Sequence, residues 1–386
     1  MSDFNKNAPV YLTECRSYDV PELVSLMKEA FDAIGVTEDL ICGRKVLLKP
    51  NLVIAKKPEL AATSHPAFLE ALSRVCFDLG AVSVTLADSP GGPYNTAALA
   101  LVYKTCGMDT IGDDRLVLNQ DFTWQTMNAS GVKLKSFHIL NAIVQADVVI
   151  DVCKLKTHSL TGMSCAVKNL FGIIPGVEKF EMHSSYPKVP DFSEMLVDLA
   201  EYMVQNKTFI AVCDGILSME GNGPTGGTPR KIGAVLASAS PYELDVVAAD
   251  LVGLGEAQVP TIKAAADRGL APRAADAVQV MGEDREQFRI KDFKLPDHIH
   301  SDLSGGGFLP KFAMKWLRPR VQFDPTRCVG CGDCAANCPA KVITMKDRRP
   351  TVDYKECIRC FCCQELCPQN AVKVKESWIF KIANKI

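Results

Sequence analysis

Ala146-Asp147-Val148-Val149-Ile150-Asp151-Val152 runs straight into Cys153-Lys154-Leu155-Lys156-Thr157-His158. The first seven residues form a nearly continuous apolar run, which predicts a strand buried on both faces. A polar cluster with two lysines and a histidine follows it directly. The same order recurs three times in the sequence. Val46-Leu47-Leu48 precedes Lys49-Pro50-Asn51, Val82–Ala87 precedes Asp88-Ser89-Pro90-Gly91-Gly92, and Phe209-Ile210-Ala211-Val212 precedes Asp214-Gly215.

Between these runs lie segments of helical period. Strands are expected at Val10–Cys15, Lys45–Lys49, Val82–Ala87, Val132–Ile139, Ala146–Val152, Thr208–Val212 and Ala234–Ala237. Helices are expected at Pro21–Ala33, Pro66–Leu79, Thr96–Cys106, Leu160–Ile173, Phe192–Val204 and Pro241–Gly253. Lysines interrupt Val132–Ile139, which predicts an edge strand there. Asp292–Pro296 reads as one last strand. The alternation predicts an α/β fold: a mainly parallel, Rossmann-like sheet with helices on both faces. Ligands of such sheets bind at the carboxyl ends of the strands, where the polar clusters fall.

The chain has 386 residues, 43 Lys plus Arg and 45 Asp plus Glu. That balance gives no support for nucleic acid as the main partner. No apolar window is long enough for a transmembrane segment. The polar start Met1–Asn7 lacks the apolar core of a signal peptide. Of the 16 cysteines, nine lie between Cys328 and Cys367 and seven are scattered singly. Scattered thiols predict a reducing, cytoplasmic setting.

The nine cysteines form two blocks. Cys328-Val329-Gly330-Cys331-Gly332-Asp333-Cys334-Ala335-Ala336-Asn337-Cys338-Pro339 and Cys357-Ile358-Arg359-Cys360-Phe361-Cys362-Cys363-Gln364-Glu365-Leu366-Cys367-Pro368 share one spacing, offset by 29 residues. The flanks repeat as well, Phe323-Asp324 matching Val352-Asp353. Three cysteines at two-residue intervals wrap one corner of an iron–sulfur cube. The fourth ligates the other cube when two are present. One [4Fe–4S] cluster is therefore expected on Cys328, Cys331, Cys334 and Cys367, and a second on Cys357, Cys360, Cys363 and Cys338. Cys362 falls out of phase. Zinc on paired cysteines explains four ligands per site but not a duplicated third cysteine followed by Cys-Pro. Residues 321–375 resemble bacterial two-[4Fe–4S] ferredoxins, a small α+β module. Ten Lys/Arg against six Asp/Glu from Arg320 to Lys375 bring the loaded module near neutrality. That suits a relay attached to a partner domain.

The expected organisation is an α/β domain over 9–300, a linker over 301–320, the ferredoxin module over 321–375 and a tail over 376–386. Ser304-Gly305-Gly306-Gly307 breaks the chain within the linker. Phe308–Arg320 reads as a basic amphipathic helix docked on a domain, or else lying on a membrane surface.

Each polar cluster has two readings. Lys49-Pro50-Asn51 and Asp88-Ser89-Pro90 are either ligand contacts or ordinary turn chemistry. Cys153 is either an activated thiol or a small buried residue. His158 is either an acid/base or a surface residue. Glu220-Gly221-Asn222-Gly223-Pro224-Thr225-Gly226-Gly227 is a loop whose amides either cradle an anion or serve only the turn. Ser64-His65-Pro66 reads as a helix cap.

Together these stretches, with Lys168-Asn169-Leu170-Phe171-Gly172, resemble the domain of unknown function 362 family from about Val46 to Gly253. Members often carry a ferredoxin-like module. Cys153 departs from the pattern, which often has Pro there. The resemblance implies a site but names no reaction.

The reading is an iron–sulfur electron-transfer protein, either a redox enzyme or a redox component. Two [4Fe–4S] clusters are expected to exchange electrons with an anionic ligand, or an unidentified organic or anionic cofactor, in the strand-end cleft. Lys156, His158 and Asp214 are its candidate catalytic residues. Lys49, Asn51, Asp88, Lys154, Lys168, Gly221 and Gly223 are its candidate binding residues. A redox partner protein is implied. A non-catalytic ferredoxin with a partner-docking domain, or an assembly or maturation factor, is the alternative.

Overall fold

The computed structural model describes residues 7–297 and 319–375. The expected Phe308–Arg320 helix as far as Arg318, most of the linker and the 376–386 tail lie outside the described residues, and Arg320 itself opens a strand.

Fifteen strands are described. They are β1 (Val10–Glu14), β2 (Lys45–Lys49), β3 (Ser83–Leu86), β4 (Leu116–Leu118), β5 (Trp124–Asn128), β6 (Ser136–Leu140), β7 (Val148–His158), β8 (Gly162–Ser164), β9 (Thr208–Glu220), β10 (Thr228–Ser238), β11 (Val280–Gly282), β12 (Arg320–Phe323), β13 (Ile343–Lys346), β14 (Arg349–Val352) and β15 (Val372–Lys375). One nine-stranded sheet runs β11-β1-β10-β9-β7-β2-β3-β4, with β8 paired to β7. Strands β9, β7, β2, β3 and β4 are mutually parallel, and β1 and β10 join them through antiparallel pairings. The fold is α/β with a mostly parallel sheet, as expected.

The main helices are α1 (Val20–Ala33), α2 (Pro66–Asp78), α3 (Thr96–Thr105), α4 (Ala166–Asn169), α5 (Glu178–Ser185), α6 (Val189–Asn206) and α7 (Pro241–Leu251). Asp19 caps α1 and Asn95 caps α3 by accepting amides of the first turn. At α2, Pro66 takes the first turn and the His65 ring accepts the Ala67 amide. Strand β7 shows how the layers form. Val149, Cys153 and Leu155 pack into one core with α6 and α7. Val148, Ile150 and Val152 pack into the other core with α1, α2 and α3. A strand buried on both faces needs the continuous apolar run found in the sequence.

Four local expectations are corrected. Val132–Ile139 is not an edge strand of the main sheet; only β6 forms, paired with β5 in a separate ribbon. Leu160–Ile173 is not one helix, because β8, α4 and a 3-10 turn divide it. Asp292–Pro296 forms no strand. Strands β7 and β9 continue well past Val152 and Val212, so Lys154, Lys156, His158 and Asp214 sit inside strands rather than after them. Ladder pairing between β7 and β9 carries the backbone on, and the polar side chains find buried partners.

Candidate functional site

The cysteine module closes on itself by pairing β12 with β15. It forms two small cavities. One is lined by Cys328, Cys331, Cys334 and Cys367. The other is lined by Cys338, Cys357, Cys360 and Cys363. Each therefore takes three cysteines from one block and the fourth from the other, the crossing expected from the repeat. Gly330 and Gly332 have φ of 71° and 89°, and Arg359 and Phe361, their equivalents 29 residues on, have 60° and 61°. Left-handed backbone costs a non-glycine residue energy, so its repetition at both loops marks a required turn. Alternating right- and left-handed residues turn successive amides inward, the arrangement that holds anionic iron–sulfur groups. Four soft cysteine sulfurs around each cavity fit such a group. Cys362 lines neither cavity; it is buried and faces a third.

That third cavity is a cleft at the carboxyl ends of β2, β3 and β7. Asn51, Asp88, Lys156, His158 and Lys168 line it. So do Cys362, Glu365 and Leu366 of the cysteine module. Polar bonds hold the two parts together: Thr225 Oγ1 donates to the Glu365 carbonyl at 2.8 Å, and Lys56 Nζ to the Pro368 carbonyl at 3.1 Å.

Lys49 stands behind Asp88. Its Nζ lies 2.8 Å from Asp88 Oδ1, and Asp88 Oδ2 accepts the Leu52 amide at 2.7 Å. Gly172 covers this pair so closely that a Cβ there would overlap the Asp88 carboxylate. Lys156 Nζ donates to Asn51 Oδ1 at 2.9 Å and to the Ala62 carbonyl at 2.5 Å. Burial pulls Lys156 down to about 7. Burial also lowers Lys168, whose ammonium lies 4.7 Å from the Phe171 ring centre. Among the described residues Lys168 Nζ has no hydrogen-bond acceptor.

His158 is more constrained than a general base. Its Nδ1 accepts the Leu160 amide at 3.1 Å and the Thr161 amide at 3.4 Å. A nitrogen that accepts carries no proton, so the neutral ring holds its proton on Nε2. Burial keeps the ring neutral, well below the ordinary histidine value. Among the described residues Nε2 has no hydrogen-bond partner although it is buried. It is a donor waiting for an acceptor.

Four candidates, Asp214, Lys154, Gly221 and Gly223, fall elsewhere. Asp214 and Lys154 pair at 2.7 Å, and Tyr18 donates to Asp214 at 2.9 Å and accepts from Lys154 at 3.1 Å. The His65 ring stacks on Tyr18 at 3.7 Å. This closed cluster does not line the cleft. In the glycine-rich loop, the Gly221 amide donates to the Lys294 carbonyl and the Gly223 amide to the Gly221 carbonyl. Neither is left to cradle an anion. A Cβ on Gly223 would overlap the Thr157 carbonyl, so close packing explains that glycine, and Pro224 supplies the cleft wall. Cys153 is a fully buried residue of the core.

Two residues of α5 that the sequence did not flag join the site. Lys179 on α5 donates to Ser89 Oγ at 2.8 Å and to the Ile174 carbonyl at 2.9 Å, and burial lowers it to about 7. His183, one helical turn on, also lines the cleft and stacks on Phe192 at 4.4 Å. Neither sits in a motif or follows an apolar run, so only the chain's path reveals them.

No helix among the described residues is long and apolar enough to cross a membrane. Two solved structures are similar at low identity. The lactate racemase apoprotein of Thermoanaerobacterium thermosaccharolyticum shares 14% identity at a TM-score of 0.37, over 64% of this chain and 57% of its own. A protein of Thermotoga maritima shares 13% at a TM-score of 0.35, over 56% of this chain and 55% of its own. The chain thus spans little more than half the length of either. A thylakoid-associated protein of Synechocystis sp. is 30% identical over 296 residues, which are 75% of this chain and 88% of that one. The 4Fe-4S dicluster domain matches residues 320–368, and the domain of unknown function DUF362 matches residues 46–250. The chain therefore belongs to the DUF362 family and carries a 4Fe-4S dicluster domain at its C-terminal side.

Proposed function

We propose that this chain is a redox protein whose cleft binds a small anionic ligand and exchanges electrons with it through two [4Fe–4S] clusters. One observation carries the reading: Cys362, Glu365 and Leu366 of the cysteine module form part of the cleft wall. Cys363 and Cys367, which line the two cysteine cavities, are sequence neighbours of those wall residues. Clusters bound there supply single electrons at a short distance from the ligand.

The chain's own residues do the rest. Lys156, Lys168 and Lys179 supply positive charge against Glu365, while Lys49 already neutralises Asp88. His158 donates from Nε2 to an acceptor atom of the ligand. Lys156 and Lys179, near 7, are the groups able to release or take a proton at neutral pH. Asp214 and Lys154 act as a structural pair.

On this reading the front domain covers about 9–300 and the ferredoxin module 321–375, with a redox partner protein still to be identified. Seven cysteines scattered singly along the sequence favour a reducing compartment such as the cytoplasm. A partner-docking or assembly role remains the second reading, and the cleft is what separates them. A recessed site with an uncommitted imidazole donor suits a small ligand better than a protein surface.

The test is anaerobic purification followed by mass spectrometry of bound small molecules and reductive titration followed by electron paramagnetic resonance. A bound anion whose addition changes the cluster signals supports the reading. An empty cleft, with cluster signals unmoved by carboxylate or phosphate anions, overturns it.

A further inference from the structure

Cys153, Cys165 and Cys213 converge although they lie on three different elements. Cys153 on β7 and Cys213 on β9 are register neighbours in parallel strands. Cys165 immediately precedes α4 and reaches back to both. Its Sγ lies 3.5 Å from that of Cys153 and 3.7 Å from that of Cys213, and all three sulfurs are within 4.8 Å of one another. All three side chains are buried in the core that contains α6 and α7.

The spacing is that of ligands around one ion. A zinc–thiolate bond of about 2.3 Å places tetrahedral ligands roughly 3.8 Å apart. The cysteines are short, and the packed core restricts their rotamers, so the triad is preorganised rather than assembled by long flexible arms. Asp245 on α7 fixes the third arm by accepting the Ala166 amide at 2.7 Å and the Val167 amide at 3.2 Å. Its carboxylate also faces the Cys165 thiol, which brings an oxygen donor to the same corner.

The donor set selects the ion. Three thiolates favour soft or borderline metals over magnesium or calcium. Charge then favours a divalent ion over monovalent copper. A dication offsets two of the three thiolate charges, whereas monovalent copper offsets one, and uncompensated charge is costly in an apolar core.

We propose that Cys153, Cys165 and Cys213 hold one zinc ion through three thiolates, separate from the ferredoxin cysteines. Binding replaces three thiol protons with one Zn²⁺ and releases those protons, with no change of oxidation state. The burial implies that the ion enters during folding. The site ties β7, β9 and α4 together. It thereby steadies the floor of the cleft, because Lys156 is three residues beyond Cys153 and Lys168 three beyond Cys165. This inference does not depend on the redox reading.

The test uses the full chain produced with zinc supplied and purified without oxygen. Elemental analysis should find about one zinc per chain besides the iron. Zinc-edge X-ray absorption should show about three sulfur neighbours at roughly 2.3 Å. Cys165→Ser should remove that zinc and leave the iron content unchanged, and Cys331→Ser should lower the iron and leave the zinc. If Cys165→Ser does not fold, the absorption measurement on the unmodified protein decides alone. Zinc far below one per chain, a zinc shell without three sulfurs, or a Cys153–Cys165 disulfide would overturn the proposal.

Discussion

His158 Nε2 lies 3.9 Å from Glu365 Oε2, so a donor fixed by β7 faces an acceptor carried by the cysteine module. That gap is too long for a direct hydrogen bond. It leaves the imidazole N–H free for a ligand oxygen. It also puts a carboxylate in a site otherwise rich in lysine, where it opposes an incoming anion.

Glu365→Gln should therefore tighten the binding of a small anion such as phosphate or oxalate, by roughly three- to tenfold for a screened charge a few ångströms away. Isothermal titration at pH 6.5 reads this directly. Unchanged affinity would mean that the anion does not sit beside Glu365.

Anion binding should weaken as pH rises through about 7, where Lys156 and Lys179 lose their protons in the folded protein. Burial is the main cause for both. Glu365, Lys168, Lys154 and Asp88 face Lys156, and Asp88, Lys49, Lys168 and Glu178 face Lys179. Folding stability should move the other way. An unfolded lysine keeps its proton up to about 10.5, so the unfolded chain binds more protons between 7 and 10.5, and stability from these two groups rises across that window. Lys156→Met should flatten both profiles. Affinity at pH 6 and pH 8.5, with denaturation midpoints at pH 7 and pH 9.5, gives the comparison.

The unmodified protein should contain about eight iron and eight labile sulfide. Cys338→Ala, although in the first block, should damage the cluster of the second, because Cys338 lines the cavity of Cys357, Cys360 and Cys363. Cys362→Ala should keep both clusters, since it lines neither cysteine cavity. Iron counting with electron paramagnetic resonance of the reduced protein distinguishes these outcomes. Loss of a cluster in Cys362→Ala would overturn the ligand register.

Lys49→Met should cost about 3–5 kcal/mol, because it strands the buried Asp88 carboxylate. Lys49→Met with Asp88→Leu should recover part of that loss. Chemical denaturation of the two single variants and the double variant measures the coupling. Lys154→Met should likewise lower stability, yet change anion affinity far less than Lys156→Met does, because the Lys154–Asp214 pair lies off the cleft.

The α/β class, the strands at Lys45–Lys49 and Val82–Ala87, and the crossed cysteine sets were all legible in the sequence. Each depends on short-range regularity. A strand buried on both faces shows as an unbroken apolar run, and a metal-binding loop shows as cysteines at fixed intervals. Where β7 and β9 stop was not legible, because ladder pairing overrides the polar residues Lys154, Lys156 and Asp214 once each gains a buried partner. The site was half legible for the same reason. Lys49, Asp88, Lys156 and His158 follow apolar runs, and parallel strands bring such positions to one edge. Which of them touch the cleft, that Asp214 turns to Tyr18 instead, that Lys179 and Glu365 arrive from distant segments, and which nitrogen of His158 carries its proton were decided by packing. Those facts depend on contacts between residues far apart in the chain, and no local pattern encodes such distances.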